Sequence, residues 1–391
     1  MDFEPWWLII FPIVFALGWI SARIDIKHLV SESRALPRSY FRGLNFLLNE
    51  QPDKAIDAFI EVVKVDPDTI ELHFALGNLF RRRGETERAI RMHRSLLERP
   101  GLTEAQRLHA LAEVGTDYLK AGLLDRAEEA FGKLVGTDYS IEARTSLLEI
   151  YQLEKEWQKA IDTARELGEA SGRPLAKEIA NFHCELAAAA LSRGKGEEAE
   201  AQLAAALREN RRCVRANLIA GDLAVKQGDA ARAIERWREI EQQNPQHLAL
   251  VAHRLLEAYR ALGRLPEGLA VLQGYLAGHP SLDLLDATYA AALDVEGPEA
   301  AYRVVRDELR RNPTLTGLDR MLEANILTAP AESRQDLELV KALVHGQTRQ
   351  LARYRCENCG FRARQFYWQC PACNQWETFP PRRTEELDLA P

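Results

Sequence analysis

The sequence predicts an all-α fold: a superhelical array of repeated helix pairs, preceded by a membrane-spanning helix and followed by a small metal-held ribbon. Three observations carry this expectation. An uncharged apolar run stands near the N-terminus, a small residue recurs about every 34 positions through most of the chain, and four of the six cysteines form two C-x2-C pairs near the C-terminus.

The apolar run comes first. Pro5 to Ala22 read PWWLIIFPIVFALGWISA, without a charge. At a rise of 1.5 Å each they reach about 27 Å, close to the ~30 Å hydrocarbon core of a bilayer. Trp6, Trp7 and Trp19 lie near the two ends, where aromatic belts sit. Asp2 and Glu4 precede the run in place of basic residues, and no small-x-small cleavage site follows, which favours an uncleaved anchor over a signal peptide. Arg23, Lys27, Arg34, Arg38 and Arg42 all follow it, so the positive-inside rule places residues 23–391 in the cytoplasm. Residues 1–22 are therefore read as a transmembrane anchor and 23–35 as a juxtamembrane connector.

The array is expected over 36–317, in about eight units. Its marker is Ala55, Ala89, Ala127, Ala160, Ala199, Ala233, Gly268 and Ala301. A small residue at this point lets the second helix of a pair approach the first. Four residues later stand Phe59, His93, Phe131, Ala164, Leu203, Trp237, Leu272 and Val305, which fill the space between helices. Gly84, Gly122, Gly194, Gly228 and Gly263 fall where the helices of a pair must turn. Pro67, Pro245, Pro280 and Pro313 close units, because proline cannot continue a helix. One pair cannot bury its apolar stripe alone, so the units must stack. The copy at 143–170 departs from the pattern, with Glu156-Trp157 in place of the turn glycine. Such arrays bind peptides or protein faces. Arg81-Arg82-Arg83 ends one first helix and reads as a solvated helix end, with an acidic partner segment as the alternative. No Asn and Lys pair suited to clamping a carboxylate is evident. Residues 318–352 keep a helical pattern without the marker, and read as a capping helix pair that turns at Ala329-Pro330-Ala331.

The ribbon is expected over 353–380, with 381–391 as a disordered tail. Cys356, Cys359, Cys370 and Cys373 are spaced C-x2-C, ten residues, C-x2-C. Two residues between cysteines is the reach of a tight knuckle, and two knuckles supply four thiolates for one tetrahedral ion. Gly360 follows the first pair, where the backbone needs a positive φ, and Pro371 stiffens the second. The segment is too short for a sufficient core, so the metal supplies much of its folding energy, roughly 10–16 kcal/mol for zinc in such peptides. The expected cofactor is one structural metal ion, zinc ahead of iron. A closed four-sulfur site leaves no position for substrate. Phe366, Trp368 and Trp376 are left open between the ribbon's own core and contacts to the array. Cys184 and Cys213 fall in helical patterns and read as buried helix residues.

The balance of charge, 51 basic against 58 acidic residues, does not point to nucleic acid as the main partner. No phosphate-binding loop, nucleophile elbow, HExxH or dinucleotide fingerprint occurs, and the nine histidines are scattered, so no enzyme is expected.

The array is similar to the tetratricopeptide repeat family, and the C-x2-C-G-F and C-P-x-C ending resembles a rubredoxin-type zinc ribbon. The fold is then a tetratricopeptide-repeat superhelix with an N-terminal transmembrane helix and a rubredoxin-like ribbon. This order, with Trp6-Trp7, FRGLNFLLNEQPDKAIDAF at 41–59 and RCENCGF/WQCPACNQW at the end, resembles the lipopolysaccharide assembly protein B family of Gram-negative bacteria. The resemblance implies an inner-membrane adaptor that restrains lipopolysaccharide synthesis by bringing the deacetylase LpxC to the protease FtsH. A periplasm-facing partner, YejM (PbgA), tunes this, and lipopolysaccharide export proteins are further partners it implies. The alternatives are a scaffold for synthesis and export enzymes without a role in proteolysis, and an electron carrier if the ribbon holds iron.

Overall fold

The computed structural model describes Phe15 and residues 38–65, 69–351 and 354–383. The expected anchor (Phe15 apart), the connector and the tail beyond residue 383 lie outside the described residues. Among the described residues no helix is long and apolar enough to cross a membrane. The chain divides into two compact parts, Met1–Ile150 and Tyr151–Pro391.

The first part holds three helix pairs: α1 (Arg38–Leu48) with α2 (Pro52–Val65), α3 (Ile70–Arg82) with α4 (Thr86–Leu97), and α5 (Glu104–Lys120) with α6 (Leu124–Gly132). Helix α7 (Ser140–Glu154) crosses the boundary and α8 (Trp157–Ser171) follows it in the chain. In the second part follow α9 (Ala176–Ser192) with α10 (Gly196–Glu209), and α11 (Val214–Lys226) with α12 (Ala230–Gln243). A 3-10 helix (Pro245–Leu250) leads into α13 (Ala252–Ala261), which pairs with α14 (Leu265–Gly278). Then come α15 (Leu282–Glu296) with α16 (Pro298–Arg311), and α17 (Leu315–Thr328) with α18 (Ala331–Leu351).

The repeat marker behaves as its chemistry requires. Each of its eight small residues is buried, and so is each residue four positions on. The five turn glycines all have positive φ. In the copy without a turn glycine, Lys155 takes that conformation (φ 60°). The periodicity did not reveal a second small position inside the first helices. A Cβ on Gly221 would stand 2.2 Å from the indole of Trp237, and one on Gly77 would stand 2.2 Å from the ring of His93. These glycines let a large ring of the second helix lie against the backbone of the first. The ring is then held by its polar edge, since Trp237 Nε1 donates to the Leu218 carbonyl at 3.2 Å.

Stacking makes one continuous core from Val214 to Ala324 in the second part. This is the reward that an isolated pair could not obtain. The first helix of the α13–α14 unit is interrupted. Pro245 removes a donor and opens a 3-10 turn, with Asn244 capping Gln246 N at 3.2 Å. The terminal pair starts at Leu315, capped by Thr314, and turns at Ala329-Pro330. Its last helix leaves Leu339, Val340 and Leu343 exposed.

Arg81 corrects the reading of a solvated helix end. Its guanidinium reaches Asp117 Oδ1 at 2.8 Å and Glu113 Oε2 at 2.6 Å on α5, and also Asn78. Asp117 is fully buried and accepts in addition from His93 Nδ1 at 2.6 Å. The arginine thus neutralises a carboxylate inside the array, where an unpaired charge would be prohibitive. The Arg81 hydrogen bond and charge act with His93 and His109 to hold Glu113 below the usual carboxylate range, against the opposing effect of burial, the largest single influence.

Candidate metal centre

The ribbon is built from two knuckles of the same design. In the first, Gly360 N donates to the Cys356 carbonyl at 2.9 Å and Cys356 N donates to the Phe361 carbonyl at 2.9 Å. In the second, Asn374 N donates to the Cys370 carbonyl at 2.8 Å and Cys370 N donates to the Gln375 carbonyl at 2.9 Å. Each loop closes on a residue in the left-handed region, Gly360 (φ 76°) and Asn374 (φ 56°). Asparagine tolerates that region better than other side chains, which is why a second glycine is dispensable. Two short strands, β1 (Tyr354–Arg355) and β2 (Arg362–Ala363), flank the first knuckle in antiparallel register, and a bridge between Gln369 and Trp376 flanks the second.

This frame gathers the four expected sulfurs. Cys356, Cys359, Cys370 and Cys373 have their Sγ atoms within 4.8 Å of one another. Cys356 and Cys373 stand 3.8 Å apart, and Cys359 and Cys370 3.7 Å. Four sulfurs each about 2.3 Å from one ion in a tetrahedron stand about 3.8 Å apart, so the residues fit a single metal ion. The distances are far from the ~2.05 Å of a disulfide. Without an ion the four thiols divide, Cys356 and Cys373 lying below the ordinary value and Cys359 and Cys370 above it. Burial pushes the Cys356 thiol up, but the Thr378 hydroxyl and the backbone N–H groups of Cys359 and Asn358 outweigh it and bring the group down to about 6. Cys370 receives the matching N–H groups of Cys373 and Ala372, although burial keeps it above the ordinary value. Ionised cysteines are what a metal requires.

The ribbon is docked on the second part of the array. Trp376 is buried, with its ring edge-on to Phe182 at 5.8 Å and to Trp157 at 6.3 Å. Its Nε1 donates to Gln152 Oε1 at 2.9 Å, and the Arg215 guanidinium lies 5.6 Å over its ring. Trp368 stacks on His247 of the 3-10 helix at 5.7 Å, and Phe366 packs edge-on to Trp368 at 4.9 Å. The two tryptophans left open by the sequence are therefore array contacts. Polar contacts frame them. Asn181 Nδ2 donates to Glu377 at 2.7 Å, Tyr354 Oη donates to Asp283 at 3.1 Å, and Arg383 reaches the same carboxylate at 2.9 Å. Burial raises Glu377 above the usual carboxylate value, and burial alone lowers His247 to about 4.

Past the expected end of the ribbon at 380, Pro381 is buried and Arg383 donates to the Arg364 carbonyl at 3.4 Å. Cys184 and Cys213 are buried, as expected, but stand 3.8 Å apart, a proximity that 29 residues of sequence separation conceals. His247, Asn181, Asp283 and Gln152 were invisible as site residues. Each looks like an ordinary helix residue until the ribbon is laid against it.

Residues 354–381 match the family model of the rubredoxin metal binding domain, and residues 42–96 and 184–247 match that of the tetratricopeptide repeat. Lipopolysaccharide assembly protein B of Escherichia coli (strain K12) is 36% identical over 380 residues, 96% of this chain and 97% of its own. That of Haemophilus influenzae is 31% identical over 391 residues, 97% of this chain and 98% of its own. This chain belongs to the lipopolysaccharide assembly protein B family. The likeness to family members spans repeats and ribbon together.

Proposed function

We propose that the chain is a non-enzymatic inner-membrane adaptor of lipopolysaccharide assembly, and that it restrains synthesis by presenting the deacetylase LpxC to the protease FtsH. The observation that carries this reading is the ribbon docked through Trp376 and Trp368 onto array helices. A four-sulfur centre has no open coordination position, and here its aromatic surface is spent on the array. The parts that remain available are protein-binding helices. Family membership supplies the pathway, since the relatives are named for lipopolysaccharide assembly. The run at 5–22, anchored in the inner membrane with residues 23–391 on the cytoplasmic side, confines the array to two dimensions beside a membrane protease and raises its effective concentration. Zinc is the metal this reading assigns, as a structural ion. YejM (PbgA) is the partner through which supply at the outer face would be sensed.

The test is the half-life of LpxC in cells depleted of this protein and in cells where it is restored with or without residues 1–22. The expected result is a severalfold longer half-life on depletion, reversed by the full chain and not by the truncated one. An unchanged half-life with abnormal lipopolysaccharide would discard the protease link in favour of a scaffold for synthesis and export enzymes.

A further inference from the structure

A cavity lies in the second part of the chain, beside the first turn of α11. It has a volume of about 340 Å³ and is lined by Arg211, Arg212, Asn217, Arg236, Glu239 and Gln243, among others. Arg211 and Arg212 come from the loop before α11, Asn217 from the first turns of that helix, and the rest from α12.

Two features point to a ligand. The first is charge. Three guanidiniums surround the cavity against the single carboxylate of Glu239, and among the described residues no ion pair joins any of the three to an acid. Most other arginines of the array are paired across or within helices, as Arg215 is with Glu185 and Arg254 with Asp222. The second is an unanswered buried group. Asn217 is only 4% exposed, lines the cavity, and its Oδ1 has no hydrogen-bond partner among the described residues. Gln243 is half-exposed, with its Oε1 covered and without a partner among the described residues, and its Nε2 donates to the Arg211 carbonyl at 2.8 Å and so ties the arginine loop to α12. Buried amides are ordinarily satisfied, and Asn217 is a buried amide left open beside this cavity.

We infer that this cavity binds a phosphate group. Arginine forks match phosphate oxygens in a bidentate manner, and one doubly charged anion uses the three cations better than one carboxylate does. The amides of Asn217 and Gln243 would take the ester oxygens or hydroxyls beside it. The cavity admits a phosphorylated sugar or a lipid head group and is too small for a folded segment. This inference goes beyond the adaptor reading and stands without it.

The experiment is calorimetric titration of the full chain in neutral detergent. The probes are glucose 1-phosphate, inorganic pyrophosphate, and the same detergent doped with phosphatidic acid. Saturable binding to at least one is expected. Binding to the soluble probes identifies a small phosphate ester as the source, and binding to phosphatidic acid alone identifies a lipid head group. Arg211→Ala with Arg212→Ala removes two exposed side chains and should weaken binding about tenfold or more, with an unchanged melting curve. Asn217→Asp keeps the shape of the buried group, places a negative charge in the cavity and should abolish binding. Absence of saturable binding to all three probes overturns the inference. So does equal binding by the double variant, or tighter binding of penta-aspartate than of every phosphate probe.

Discussion

The ribbon and the array that carries it are stabilised by opposite means. The array from Val214 to Ala324 is one continuous apolar core, assembled from helix pairs packed on the adjoining pairs. Its stability is spread over many contacts, so damage in one unit is a local matter. The ribbon core comprises little more than Tyr354, Cys356, Cys370 and Phe379. Its stability is concentrated in one ion and one docking surface, so damage there is all-or-none. The lesson is that the ribbon's fold and its position are separately controlled, the first by four sulfurs and the second by two tryptophans.

The strongest way to break the comparison is through the metal. Cys356→Ser with Cys359→Ser removes two of four ligands and with them the roughly 10–16 kcal/mol that such sites supply. Metal content should fall to zero and the ribbon should unfold, while far-ultraviolet ellipticity, dominated by the array helices, stays near that of the parent. A large loss of helix would show that the array leans on the ribbon. Metal analysis of the parent protein also tests the assignment of zinc, since a red protein with iron would replace it.

Docking comes next. Trp376→Ala leaves the four sulfurs in place but empties a buried site between Phe182, Trp157 and Arg215, at a cost of about 3–5 kcal/mol. The expected outcome is a ribbon that keeps its metal yet becomes protease-sensitive at the linker to α18. Unaltered proteolysis would mean that Trp368 and Asp283 suffice to hold it.

Acid should loosen the same surface. His247 has its folded value depressed to about 4 from an ordinary value near 6.5, so its contribution is complete above pH 6.5 and declines as pH falls toward 4. Between pH 7 and 5 the loss is about 2 kcal/mol. Glu377, raised by burial, works in the other direction, because its protonation on acidification relieves a buried charge. The net acid sensitivity should therefore be smaller in the parent than in Glu377→Gln, and smallest in His247→Phe. Tryptophan fluorescence against pH reads all three.

The smallest effect belongs to the array. Gly221→Ala drives a methyl into the Trp237 indole, which costs about 1–3 kcal/mol of overpacking. Hydrogen exchange should quicken in α11 and α12 and remain unchanged in α17, and the metal should stay bound. Loss of metal in this variant would contradict the separation between the two regions.

Much of this was determined by sequence alone, because it depends on local chemistry. The period near 34 specifies a small residue where two helices touch, and the C-x2-C spacing specifies a knuckle whatever surrounds it. Both expectations place their residues where the structure has them. Neighbouring residues can also hide a role by substitution: Lys155 does the work of a turn glycine, and Asn374 that of a second Gly360, through conformations that their names only weakly announce. What the tertiary structure decided was every contact across long separations. Trp376 meets Phe182, Arg383 meets Asp283, and Arg81 meets Asp117 because helices far apart in the chain are brought to one surface. Periodicity records that a face is apolar or charged. Which partner covers it depends on the path of the whole array, and that path is set by packing summed over all its units.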